Sequence, residues 1–141
     1  MNGTALESLD LSGSTRARLA EYSTVGEAWD GCDDPAVMLR VAMAVAERSD
    51  DMKAPMRLKE AAGAAARHME ERCTRAGMEN GVDAALLGVE RVRAEMMLVV
   101  NDETRPDVPH QLSHQQQQQR DASMQQARRV ACAYLREHVK L

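Results

Sequence analysis

The sequence predicts an all-α protein, a single-domain bundle of about five helices. Three observations carry this. The chain has 141 residues, the length of one compact domain. Its apolar set contains no Phe, no Ile, one Trp and two Tyr, and is drawn from Ala, Leu, Val and ten Met. Sheets favour β-branched and aromatic side chains, whereas Ala, Leu and Met, with Arg, Glu and Gln, favour helix. Finally, apolar residues recur at spacings of three and four through most of the chain, the period that lines one face of a helix.

Residues 1–13 are expected to form an N-terminal lead ahead of the first helix, ordered or disordered. A first helix is then expected from Ser14 to Cys32, with Leu19, Tyr22, Val25, Trp29 and Cys32 on one stripe and Gly26 weakening it. Asp34-Pro35 reads as an N-cap followed by Pro at the first helical position. The helix it opens, to Arg48, is apolar nearly all round, as a centrally buried helix would be. A third helix, Pro55 to Arg75, sets Leu58, Ala61, Ala62, Ala65, Met69 and Cys73 on one side and stops at Gly77, read as a C-terminal cap. The fourth, Val82 to Val100, carries Leu86, Val89, Val92, Met96 and Val99. Pro106 and Pro109 close a loop over 101–109. The last helix runs from Pro109 to His138; its start, 110–126, is Gln-rich and is read as a solvated first half, with local disorder the alternative. The expected core is Leu19, Tyr22, Trp29, Met38, Leu39, Val41, Met43, Leu58, Met69, Leu86, Val89, Met96, Val130, Tyr134 and Leu135.

Of the 18 basic residues 15 are Arg, and Phe, Ile, Asn and Lys are scarce or absent, a bias expected of a G+C-rich bacterial genome. The net charge of −4, with acids and Arg interspersed, disfavours a nucleic-acid or anionic-membrane binder. No stretch of about 18 apolar residues is present, and the N-terminus lacks the basic and apolar regions of a signal peptide, so a cytoplasmic protein is expected. Cys32, Cys73 and Cys132 are odd in number and widely spaced, which fits reduced core thiols better than disulfides or a zinc knuckle.

The sequence holds no GxGxxG, P-loop, GxSxG, HExxH or EF-hand pattern and no Glu-x-x-His of the di-iron bundles. No catalytic residue and no cofactor are therefore assigned. The best metal candidates are His110 and His114, whose i, i+4 spacing on a helix points two imidazoles the same way, although no third ligand stands nearby. His68 and Cys73, at i and i+5, lie on different helix faces and make no nucleophile–base pair. Met52 with Met56 and Met96 with Met97 are better read as adaptable core filling than as copper ligands. Glu79, Asp83, Glu90 and Glu95 are candidates for an acidic face toward a basic partner.

Two segments carry a resemblance: Ala28-Trp29-Asp30-Gly31-Cys32-Asp33-Asp34-Pro35-Ala36-Val37-Met38-Leu39 near the start, and Ala127 to His138 at the end, with Cys132, Ala133, Arg136 and His138. Together they resemble the opening and closing motifs of a loosely defined group of small, alanine-rich helical bacterial proteins, some of which are labelled immunity proteins of toxin systems. In that group the apolar helix commonly begins with a further Trp, where this sequence has Ala36 or Val37. The resemblance implies a protein that binds a toxin and occludes it, through the acidic fourth-helix region. The residues by themselves favour a non-enzymatic protein-binding module. The alternatives are a self-associating scaffold, using its second and last helices to make a homo-oligomer, and a metal- or small-ligand-binding bundle.

Overall fold

The computed structural model describes residues 9–80, 82–101 and 114–141 and is all-helical over them. Six helices occur there: α1 (Gly13–Leu19), α2 (Val25–Gly31), α3 (Pro35–Glu47), α4 (Ala54–Asn80), α5 (Val82–Asn101) and α6 (His114–His138). The expected all-α bundle is thus present, with the first helix divided in two. Leu9, within the expected lead, is buried, and its carbonyl accepts a hydrogen bond from Arg16 Nη2 at 2.7 Å.

The division of the first helix has a local cause. Thr24 caps α2, its Oγ1 accepting from the Glu27 N–H at 3.0 Å, while Glu27 Oε2 reaches back to the Ser23 N–H at 2.9 Å and to the Ser23 hydroxyl. This is a shifted form of the capping box, in which an N-terminal Thr and a Glu three residues on satisfy the orphan donors. The Ser23 hydroxyl, then its backbone N–H, hold the Glu27 carboxyl below its ordinary range. With β-branched Thr24 and Val25 and flexible Gly26 in a row, a fresh helix start prevails over continuation. α1 has its own cap: Ser12 Oγ accepts from the Thr15 N–H and donates to the buried Thr15 hydroxyl.

α3 opens as the sequence predicts, with Pro35 at its first position and Asp34 Oδ1 accepting from the Ala36 N–H at 3.0 Å. Val37, Met38, Leu39, Val41, Ala42, Ala44 and Ala46 are buried along it. It packs against α4, α5 and α6, which in turn pack most extensively against one another. The result is a three-helix bundle with α3 laid along it and α2 seated on α3.

α4 does not stop at Gly77 but continues to Asn80. One glycine costs a helix only about 1 kcal/mol, less than packing along its length supplies. Small residues set how closely the long helices meet: Ala62 and Ala65 of α4, and Ala127 and Ala131 of α6, are fully buried. A close backbone approach occurs at Gly88 of α5, where a Cβ would lie 2.8 Å from the backbone of Ser123 and Met124 on α6. At the far end of the sequence Gln117 and Gln118 are exposed on the helical first half of α6.

Candidate functional site

The two motif segments meet in space. Arg136, on the last turn of α6, donates from Nε to the Trp29 carbonyl at 3.4 Å and from Nη2 to the Cys32 carbonyl. These carbonyls belong to the C-terminal end of α2, whose C-cap is Cys32, so the guanidinium satisfies orphan acceptors at a helix terminus, where a cation is favoured. Trp29, Cys32 and Cys132 are buried beside this contact. The Cys32 thiol donates to the Asp34 carbonyl at 3.4 Å. Burial raises the Cys32 thiol pKa and pushes Cys132 up to about 12, so both stay as neutral thiols. The joint is a clasp between chain ends, built of residues whose polar groups are spent on backbone.

The other candidates are dispersed. His110 lies outside the described residues; His114 is exposed, its ring Nε2 3.1 Å from Gln118 Nε2. Among the described residues no group of three or more His, Cys, Asp or Glu is placed to hold a metal ion. The side chains of Glu79 and Asp83 lie outside the described residues. Glu90 is exposed, whereas the Glu95 side chain is only 11% exposed and pairs with Arg91 at 3.7 Å and Arg128 at 3.2 Å. Five residues of helix turn these two acids well apart around α5, so they do not share a face. Met96 is fully buried while Met52 and Met56 stand 91% and 65% exposed, which separates the two methionine pairs. Cys73 is buried, and His68 stacks instead on Tyr134, ring centroids 5.3 Å apart, with His138 on Tyr134 at 4.1 Å.

A cleft of about 360 Å³ opens where α3 ends, α4 begins and the chain leaves α6. Its apolar lining includes Ala42, Ala46, Leu58, Ala61 and Val139, and Ser49, Asp51, Arg57, His138 and Lys140 supply its polar groups. Asp51 helps shape one wall: Oδ1 accepts from the Lys53 N–H at 3.0 Å and Oδ2 pairs with Arg57 at 2.6 Å. The three exposed large hydrophobic residues among those described are Met52, Met56 and Leu141. Leu141 lines the cleft, and Met52 and Met56 alternate in sequence with its lining residues Asp51, Ala54 and Arg57. Sequence reading missed this site because its walls come from two stretches far apart in sequence, 42–61 and 138–141. Its one local signal was the pair of methionines, Met52 on the turn before α4 and Met56 in its first turn.

No helix among the described residues is long and apolar enough to cross a membrane. No family model matches the chain, and neither a curated protein nor a solved structure is significantly similar to it.

Proposed function

We propose that this chain is a non-enzymatic protein-binding module that docks an apolar side chain of its partner in the cleft between α3, α4 and the C-terminal segment. The carrying observation is the coincidence of an apolar cleft with the exposed Met52, Met56 and Leu141. Exposed large apolar side chains near a concavity mark interaction surfaces; Leu141 lines this cleft, Met52 and Met56 are sequence neighbours of its lining residues Asp51 and Arg57, and Met, flexible and polarizable, adapts to a partner's shape. Around the apolar floor, Arg57, His138, Lys140 and Asp51 form the kind of polar rim that sets register. The finer form of the proposal, suggested by the two motif segments, is an immunity-type role: the partner is a toxin, and docking occludes it.

The test is affinity capture from a lysate of the source organism with wild type and with the Met52→Glu/Met56→Glu double variant, products of neighbouring genes being the first identities sought. A near-stoichiometric partner held by wild type and lost by the double variant, at equal melting temperature, is the expected result. Equal retention by the variant removes the cleft as the docking face. The immunity role further requires that co-expression with wild type relieves the partner's toxicity, and unrelieved toxicity rejects that form.

Self-association is the second reading, because the same exposed residues would serve it. Most apolar residues of α3, one of the two helices expected to make a homo-oligomer, are taken up inside the protomer, whereas Met52, Met56 and Leu141 stay exposed. Light scattering at micromolar concentration separates the readings: a monomer rejects self-association, and a dimer dissolved by the double variant supports it.

A further inference from the structure

A second concavity, of about 550 Å³, shares no lining residue with the first and is lined by residues of α1, α3, α5 and α6. Its charged groups are Arg18, Arg40 and Arg128, with Asp34 and Glu95. Three cations against two anions leave this groove positive on a protein whose net charge is −4.

Both carboxylates are fully engaged. Asp34 caps α3 through Oδ1 and takes Arg18 Nη1 on Oδ2 at 2.9 Å; Glu95 meets Arg91 through Oε1 and Arg128 Nη2 through Oε2. The hydrogen bond that Arg18 donates to Asp34 raises the Arg18 pKa above its already high value, so that cation is permanent. Neither acid is spent on Arg40, which is exposed on α3 and has no hydrogen-bond or ion-pair partner among the described residues.

A guanidinium carries five N–H donors in a planar fork, and Arg18 and Arg128 each give one to the carboxylates facing them. Each keeps part of its side chain open, 55% for Arg18 and 31% for Arg128. Two cations are thereby held in place before any ligand arrives, which lowers the entropy that binding must surrender. Beside them Val37 and Leu98 give the groove an apolar strip.

We infer that this groove is a binding site for a small organic anion, a carboxylate or phosphate, whose oxyanion is taken by Arg40 between the anchored Arg18 and Arg128 and whose body lies on Val37 and Leu98. The site is separate from the cleft assigned to partner docking and does not rest on that reading.

The test is calorimetric titration of the full chain with citrate and, separately, with inorganic phosphate, at low ionic strength, for wild type, Arg40→Ala and Arg48→Ala. Arg48 is an exposed cation at the end of the same helix and outside the groove, so its removal makes the same change in net charge. Expected is saturable one-to-one binding of at least one probe, weakened roughly ten- to hundredfold by Arg40→Ala, the range set by loss of a charge-assisted contact, and unchanged by Arg48→Ala. The probe that binds distinguishes carboxylate from phosphate as the preferred oxyanion. Absence of saturable binding by either probe, or equal weakening by the two variants, overturns the inference.

Discussion

Gly88→Ala and Gly63→Ala are the same substitution in the interior of two long helices, and the structure predicts opposite signs. Helix propensity alone makes both stabilising by about 1 kcal/mol, since Ala restricts the unfolded chain and Gly does not. At Gly63 the new methyl would meet only Arg67 Nη1 at 3.7 Å, ordinary contact with a flexible side chain, so the full gain is expected. At Gly88 it would lie 2.8 Å from Met124 N, Ser123 C and Ser123 Cβ, none of which can swing aside. Relief requires α5 and α6 to move apart by roughly 0.5–1 Å, a gap that forfeits a quarter to a half of the dispersion energy of each contact across it. Val89, Val92, Met124 and Ala127 are buried near this crossing and would share the loss. We put the overpacking cost at about 2–4 kcal/mol, from the middle of its usual range to beyond it because the clash is with backbone, leaving a net destabilisation of about 1–3 kcal/mol. For a chain of this size that lowers Tm by roughly 3–12 °C, against a rise of a few degrees for Gly63→Ala. Urea unfolding with thermal melts of both variants decides it. If Gly88→Ala is as stable as wild type or more so, the close helix approach is wrong.

The other predictions concern the clasp. Trp29→Ala should cost about 3–5 kcal/mol, because the ring is only 7% exposed, and an unchanged melting temperature would refute its placement. Arg136→Met keeps the bulk of the side chain but leaves the Trp29 and Cys32 carbonyls without their donor, an expected loss of about 2–3 kcal/mol in urea denaturation with unchanged slope. Arg136→Lys should recover little of it, since one ammonium does not reproduce the fork. Cys132 gives an alkaline prediction. Its folded pKa lies above the unfolded value of 9.0, so its contribution is fully present below pH 9 and is lost as pH rises through about 12, at about 1.4 kcal/mol per pH unit between. Cys132→Ala should flatten that part of the stability profile; the same slope in the variant would show that another group titrates.

Most of the fold was legible because its signals are local. Asp34-Pro35 opens α3 where the capping rules place it, and the all-round apolar run behind it is buried as its pattern requires. Leu19, Met38, Leu39, Val41, Met69, Val89, Met96 and Leu135 are core, while Tyr22, Met43, Val130 and Tyr134 are half-buried against it. The break before α2 was also written locally, as Thr24-x-x-Glu27, but was outweighed in reading by a hydrophobic stripe that runs across it. Leu9 was missed because a single apolar residue has no period. The cleft and the arginine groove were not legible, since each depends on how helices far apart in sequence pack, which no local pattern specifies. Glu95 illustrates this: counted along α5 it belongs to a row of surface acids, but packing beside Arg128 of α6 turns it into an internal partner.

The placement of the motif residues changes where the function must be tested. Trp29 and Cys32 in the first quarter of the chain, and Cys132 and Arg136 near its end, are joined in one part-buried contact that ties α2 to α6. Their side chains are used by the fold, so these positions say little about the surface a partner meets. Substitutions there should lower stability and reduce any binding only in proportion to the folded fraction. Met52, Met56 and Arg40 have the opposite character: they are exposed, they contribute little to the core, and their removal should leave the melting temperature near that of wild type. Loss of binding at unchanged stability in these variants, with loss of stability at proportionate binding in Arg136→Met, is therefore the pattern that separates recognition from architecture. The reverse pattern would move the interface onto the clasp.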